Sequence, residues 1–246
     1  MSGLYTTLLL QPIFNLLIWL YNVIPGHDIG LAIIALTVLV KVILWPITAK
    51  SLKSQRALQE IQPKLEELKR KYPNKEDKEK LAKEMMELYS KEKVNPLSSC
   101  LPLLIQLPVF IALYHSLRSG LESSGFDLLY PFVADPGTVN TMMFGVIDLA
   151  GTNVLLAVLA AVTQFFQARM MVARQQPKKV PGAKDEQMLA NMNKSMVYAM
   201  PAVTLFIGLK FPGGLTLYWL VMNLLTILQQ KLAFNQKKGA SPEPGA

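Results

Sequence analysis

One lysine, Lys41, stands inside the apolar run from Ile29 to Ile47, a stretch long enough to cross a bilayer and otherwise free of charge. An ionised side chain near the middle of a membrane helix costs about 2.5–3.5 kcal/mol, so it normally faces a wet cavity or a partner. Snorkelling is the plain alternative. Lys41 lies nine residues before Lys50, about 13 Å of helix at ~1.5 Å per residue, and a lysine stem recovers only part of that depth. The chemistry such a group offers is electrostatic: a transient partner for a carboxylate.

The other apolar stretches carry polar residues too. Thr37 lies one turn before Lys41, Gln106 and Gln164 sit midway along two further runs, and Tyr218, Trp219 and Asn223 occupy the last one. Taken singly, each is more often an interhelical hydrogen bond than a site. Spread over four segments beside a charge, they are most economically arranged around one hydrated groove, although the sequence alone does not bring them together. Met188, Met192, Met196 and Met200 recur every fourth residue and share one side of a helix. Packing is the ordinary reason for such a stripe, and a soft surface for varied apolar partners the functional one.

Several chemistries are excluded. Cys100 is the single cysteine and His27 and His115 the only histidines, so neither a disulfide nor a metal-ligand cluster can be assembled. Lys210-Phe211-Pro212-Gly213-Gly214 is no phosphate loop, because it precedes an apolar run and lacks the Gly-Lys-Ser/Thr ending. No Ser/His/Asp set or acidic pair falls within the apolar runs. The chain reads as a non-enzyme that uses no cofactor.

The elements that must position these residues follow from composition. Of 246 residues 51% are hydrophobic and only 17% charged, and the charges gather into a few segments, which is the pattern of a multi-span membrane protein. The segment from Ile47 to Pro96 holds 13 Lys and Arg, Arg169 to Lys194 holds 6, and the tail from Lys231 holds 3, whereas 1–30 and 121–151 hold none. The positive-inside rule then sets the N-terminus outside and the C-terminus in the cytoplasm. The first basic segment also carries 9 acidic residues. It is therefore a mixed-charge solvated structure, not a polybasic nucleic-acid arm. No basic n-region precedes the first apolar residues, so cleavage is not expected.

The spacing predicts an all-α protein with five spans, at 29–49, 97–117, 152–172, 192–209 and 214–232, and the five-residue turn at 210–214 makes the last two antiparallel neighbours. Residues 1–28 form an extracytoplasmic tail in which Pro12 to Ile24 reads as a 13-residue helix, too short to span; including Leu4 to Leu10 would make a sixth span, but no flanking charge would hold its N-terminus inside. With Trp19 and Tyr21 it suits an outer-leaflet interface. Residues 50–96 form a cytoplasmic helical hairpin: Leu58, Ile61, Leu65, Leu68 and Tyr72 make one apolar stripe, Tyr72-Pro73-Asn74 breaks it, and Leu81, Met85 and Leu88 make the return. Pro63 should kink the outgoing arm or start its regular part. Residues 235–246 are a short, mildly basic cytoplasmic tail.

Four separated motifs then bring a family into view. Val38-Leu39-Val40-Lys41-Val42-Ile43-Leu44-Trp45-Pro46-Ile47-Thr48, Leu58-Gln59-Glu60-Ile61-Gln62-Pro63-Lys64, the stretch Lys91-Glu92-Lys93-Val94-Asn95-Pro96-Leu97 running on to Phe110, and Phe211-Pro212-Gly213-Gly214-Leu215-Thr216-Leu217-Tyr218-Trp219 occur in the order seen in the YidC membrane protein insertases, which the chain resembles from about Gln11 to Gln230. The resemblance implies a five-helix bundle around a hydrophilic groove, open to the cytoplasm and to lipid and closed toward the outside. It also implies a basic residue of the first core helix projecting into that groove. The usual residue is arginine. Here it is Lys41, which keeps the charge and loses the planar bidentate donor. No counterpart is expected of the large extracytoplasmic domain and extra N-terminal span of the Gram-negative-type members.

The function implied is insertion and folding of newly made membrane proteins in the bacterial cytoplasmic membrane, without nucleotide hydrolysis. Nascent membrane proteins with acidic or short polar translocated segments are the partners. The Sec translocon, the ribosome and the signal recognition particle are further candidates, and sequence-specific nucleic-acid binding is not expected. Lys41, Thr37, Gln106, Gln164, Trp219 and Asn223 are the expected groove residues. Two rival readings stand beside this one: an assembly chaperone acting only downstream of the Sec translocon, in which Lys41 is dispensable, and a small-solute transporter. The second finds no paired, interrupted spans of the inverted-repeat kind.

Overall fold

The structure, a computed structural model, describes residues 3–72, 77–95, 101–172 and 184–235. It is helical almost throughout: α1 (Gly3–Tyr5), a π-helical turn (Thr6–Leu10), α2 (Gln11–Val23), α3 (Ile29–Glu60), α4 (Gln62–Lys71), α5 (Lys78–Lys91), α6 (Leu101–Leu121), α7 (Val154–Val172), α8 (Lys184–Gly208) and α9 (Gly213–Asn235). Between α6 and α7 lie a 3-10 turn (Phe126–Leu128) and a small antiparallel ribbon of β1 (Met142–Met143) and β2 (Ile147–Asp148). Among the described residues, Gly3–Val23 and Ile29–Gln55 are long and apolar enough to cross a bilayer, while Val154–Met170 and Val197–Gly208 are apolar but shorter.

The main core lies where α2, α3, α6 and α9 meet, with Leu17, Ile33, Leu36, Leu113, Leu117 and Tyr218 fully or almost fully buried. Small residues bring α7, α8 and α9 close. Ala157 and Ala160 are fully buried, and a Cβ on Gly208 would come within 3.0 Å of Ala157 Cβ and 3.4 Å of Thr216 Cγ2. Close backbone approach of this kind drives helix association where water supplies no hydrophobic force. The outward faces carry Ile43, Leu104, Leu155 and Phe166 exposed. So much exposed apolar surface fits a hydrocarbon surrounding and not water.

One end of the bundle is tied together by the 122–153 connection. Gly213 and Gly214 donate their N–H groups to the carbonyls of Gly151 and Leu149 at 2.7 and 2.9 Å. A Cβ on Gly213 would lie 3.3 Å from three backbone atoms of 148–151, which is why two glycines follow Pro212. Helix α2 lies along the same connection: Gln11 and Asn15 donate to the Leu128 carbonyl, Asn15 accepts from Tyr130 N, and Asn22 donates to the Ala134 carbonyl.

Helices α4 and α5 run antiparallel, joined by Lys64–Glu92 at 2.5 Å and Lys71–Glu84 at 2.9 Å. Their apolar contacts form a second, separate cluster of Ile61, Leu65 and Val94 with Leu58, Met85 and Leu88 around it.

Two expectations change. Helix Pro12–Ile24 is the end of a helical run from Gly3 to Val23, 21 residues long, so length does not prevent it from crossing a bilayer. The π turn at Thr6–Leu10 absorbs Pro12, which has no N–H to donate back to Leu8. The first long helix does not stop at Ala49 but continues to Glu60, and the outgoing stripe is split at Ile61, with Pro63 in the first turn of α4. Helix α8 begins at Lys184, so the helix holding the span expected at 192–209 also includes position 188. Cys100, the Pro73-Asn74 break and nearly all of the 235–246 tail lie outside the described residues, as do the side chains of Met188, Met192 and Met196; Met200 is exposed.

Candidate functional site

Lys41 sits midway between the start of α3 at Ile29 and Lys50, and its side chain is only 6% exposed. Its Nζ donates to Thr226 Oγ1 on α9 at 3.0 Å, and the Thr226 hydroxyl in turn donates to the Met222 carbonyl at 2.7 Å. Among the described residues no carboxylate lies within ion-pair distance of it. The sequence explains why: none of the five apolar runs contains an Asp or Glu. A neutral hydroxyl is a weaker partner than a carboxylate, so the amine keeps its capacity for a stronger one.

The bonds made by the other expected residues join the helices in pairs. Asn223, 4% exposed, donates from Nδ2 to the Ala160 carbonyl of α7 at 3.1 Å, with Thr163 Oγ1 at 3.4 Å and Gln164 Oε1 at 3.5 Å. Gln106 on α6 donates to the hydroxyl of buried Tyr218, while Trp219, half-buried, packs its ring 5.5 Å from Phe110 of α6. Thr37 is fully buried and donates to the Ile33 carbonyl of its own helix at 2.6 Å. The structure brings Gln164 and Asn223 together and leaves Thr37 as a local backbone bond.

A common element links these pairs: α9. Tyr218 and Trp219 reach α6, Asn223 reaches α7, and Thr226 reaches Lys41 on α3. One turn further on, Gln229 Nε2 donates to Thr48 Oγ1 of α3 at 2.8 Å, and buried Gln230 leaves its Oε1 without a partner among the described residues. Buried Ser51 and Gln55 continue the polar line down α3. Thr226, Gln229, Gln230, Thr48, Ser51 and Gln55 were not among the residues predicted. Their signal was present as polar residues at intervals of three and four, Asn223, Thr226, Gln229 and Gln230, on an otherwise apolar helix.

This arrangement defines a class: a helical membrane protein whose interior is polar along one helix and carries one charge that no intramembrane carboxylate answers. The chain belongs to the 60Kd inner membrane protein family, whose model matches residues 19–240. Among its relatives is a protein of Fusobacterium nucleatum named Membrane protein insertase YidC, 37% identical over 213 residues, which cover 87% of this chain and 88% of the relative. One of the same name from Oceanobacillus iheyensis is 32% identical over 236 residues, or 94% of this chain and 84% of the relative. A third, from Geobacter metallireducens, is 36% identical over 225 residues that cover 91% of this chain but 36% of the relative, so the chain spans little more than a third of that protein's length.

Proposed function

We propose that this chain inserts newly made membrane proteins into the bacterial cytoplasmic membrane and helps them fold, driven by partitioning and not by nucleotide hydrolysis. The observation that carries the reading is Lys41: buried, hydrogen-bonded among the described residues only to a hydroxyl, and without a carboxylate in any apolar run. Among the described residues, an arriving acidic segment competes with Thr226 alone. Unit charges 4 Å apart attract by about 4 kcal/mol at an effective dielectric of 20, before desolvation is subtracted. The interaction is then strong enough to draw the segment in and weak enough to release it. The substrate's apolar helix partitions into lipid, and burying about 20 residues drives the reaction. Family membership and the names of the relatives support the same activity.

In this reading five spans lie within α3, α6, α7, α8 and α9, with α2 along the outer interface. Its support is the set of bonds from Gln11 to Asn22 onto the 128–134 segment, which run along the helix from one end to the other. The distribution of basic residues supports a cytoplasmic α4–α5 hairpin and C-terminus. The groove is lined by Lys41, Gln106, Gln164, Trp219 and Asn223, with Thr37 behind them, and the α4–α5 hairpin captures or guides incoming chains. Nascent membrane proteins are the substrates, with the Sec translocon, ribosome and signal recognition particle as further partners.

The test is insertion of a single-span protein with an acidic N-terminal tail into liposomes carrying the purified protein. Lys41→Arg keeps activity. Lys41→Glu lowers it by about tenfold or more, the equivalent of losing ~1.4 kcal/mol of attraction. Full activity in Lys41→Glu would remove the electrostatic role.

A further inference from the structure

The ribbon between α6 and α7 ends in a tip that water does not suit. Val146 N–H donates to the Met143 carbonyl at 3.1 Å, closing a turn whose two central residues, Phe144 and Gly145, both have positive φ, +52° and +68°. Glycine and asparagine are the residues such a turn selects. A bulky aromatic residue there is a backbone outlier, and outliers of this kind persist where function holds them. Its side chain is 64% exposed, and Val146 beside it 79%.

The position of the tip is fixed by one carboxylate. Asp28 caps α3 by accepting from Leu31 N through Oδ1 at 3.1 Å, and accepts from Phe144 N through Oδ2 at 2.7 Å. The ribbon also packs directly on the first turn of α3, where a Cβ on Gly30 would fall 2.4 Å from Met143 Cγ. The apolar run of α3 starts at Ile29. Phe144 is therefore held at the N-cap of α3, one residue from where its apolar run begins, although Ile29 itself is buried and the exposed apolar residues of α3 start at Val38. Phe132 of the same connection is 78% exposed and stacks with Tyr130, and Trp19 and Val23 of α2 are exposed alongside. The connection holds no Lys or Arg from 121 to 151, so attraction to anionic headgroups plays no part.

We infer that the tip Phe144-Gly145-Val146 is a membrane anchor: it enters the outer-leaflet interface as an apolar wedge, and Asp28 sets its depth by bonding it to the α3 N-cap. The occupant of this surface is lipid, because the tip is bonded to the N-cap at which the apolar run of a span begins, the level of the bilayer interface, and its exposed side chains are apolar. Anchored there, the connection that ties α2, α7 and α9 at this end is held against the bilayer while the other end of the bundle admits substrate. The inference rests on reading α3 as a span, and it is independent of the insertase activity.

The experiment uses the full chain with Cys100→Ser, reconstituted into phosphatidylcholine vesicles and carrying one nitroxide-labelled cysteine. The sites are Phe144→Cys, Val146→Cys, Asp135→Cys as an aqueous reference and Ile43→Cys as a reference for the lipid-facing surface of α3. Collision rates are read with oxygen, which concentrates in lipid, and with a water-soluble nickel chelate. The expected result is an oxygen-to-nickel ratio at 144 and 146 several-fold above that at 135 and below that at 43. Labels at 144 and 146 that match 135, with 43 in lipid, overturn the anchor alone. Labels at 144 and 146 shielded from both quenchers assign the tip to a protein contact and overturn it as well. An aqueous label at 43 overturns the span reading and the anchor with it.

Discussion

Lys41 costs the bundle stability, and that cost is measurable. A buried cation with a single neutral hydrogen-bond partner is poorer than an apolar side chain of similar length. Lys41→Met should therefore raise the thermal midpoint of the purified protein, by the equivalent of about 1–3 kcal/mol, while abolishing insertion. A fall in the midpoint would make the lysine a structural residue and leave the groove without its charge. The lysine was legible in the sequence because a lone charge in an apolar run has few explanations. Its partner was not, because a threonine in an apolar helix is ordinarily satisfied by a carbonyl one turn back. Thr226 does make that bond, to Met222, and also accepts from Lys41. Only the register of α3 against α9 distinguishes the two cases, and periodicity within one helix carries no information about it.

At the scale of elements, the sequence located the helices better than their ends. The apolar pattern of α3 fades near Ala49, yet Lys, Leu, Gln, Arg, Ala and Glu are good helix formers and carry the helix on to Glu60. The break at Ile61 and the new helix with Pro63 in its first turn follow from proline chemistry, which was legible. Close packing was not, because glycine and alanine read as unremarkable apolar residues. Gly208 meets Ala157 at the α7–α8 contact, and Gly208→Val should cost about 1–3 kcal/mol by overpacking, read as a lower thermal midpoint; an unchanged midpoint would show that the helices can separate freely. The α4–α5 pair has its own signature. Hydrogen bonds from the Tyr72 hydroxyl and then from Lys71 hold the Glu84 carboxyl below its ordinary 4.5. A carboxyl lowered in the folded state contributes stability above its unfolded value and loses it as pH falls through the folded one. The distance between spin labels at Arg70 and Lys83 should stay narrow from about pH 6 to 9 and broaden below 4.5. In Glu84→Gln it should be broad at every pH, and a narrow distribution there would dismiss the contact as incidental.

At the scale of the whole molecule, the two apolar clusters divide the labour. The main one joins α2, α3, α6 and α9, and the second is confined to the hairpin and the end of α3. The segregation of charge made this division visible in the sequence, since a mixed-charge segment between apolar runs must project away from them. What it could not reveal is that α9 meets α3, α6 and α7 through polar groups, so that the polar interior is organised by one helix and not by a ring of equal contributors. The hairpin shares no part of that interior. Replacing residues 62–91 by a short Gly/Ser linker should therefore leave the thermal midpoint of the bundle within a few degrees of the parent, because none of the described residues removed belongs to the main core. Insertion should still fall several-fold, with weaker photocrosslinking from substrate to positions near Lys41, if the hairpin delivers chains to the charge. Equal crosslinking with and without the hairpin would restrict it to connecting α3 and α6. A collapse of the bundle would mean that the two clusters are coupled through the last turns of α3, and the polar line of Thr48, Ser51 and Gln55 would then be the place to look for that coupling.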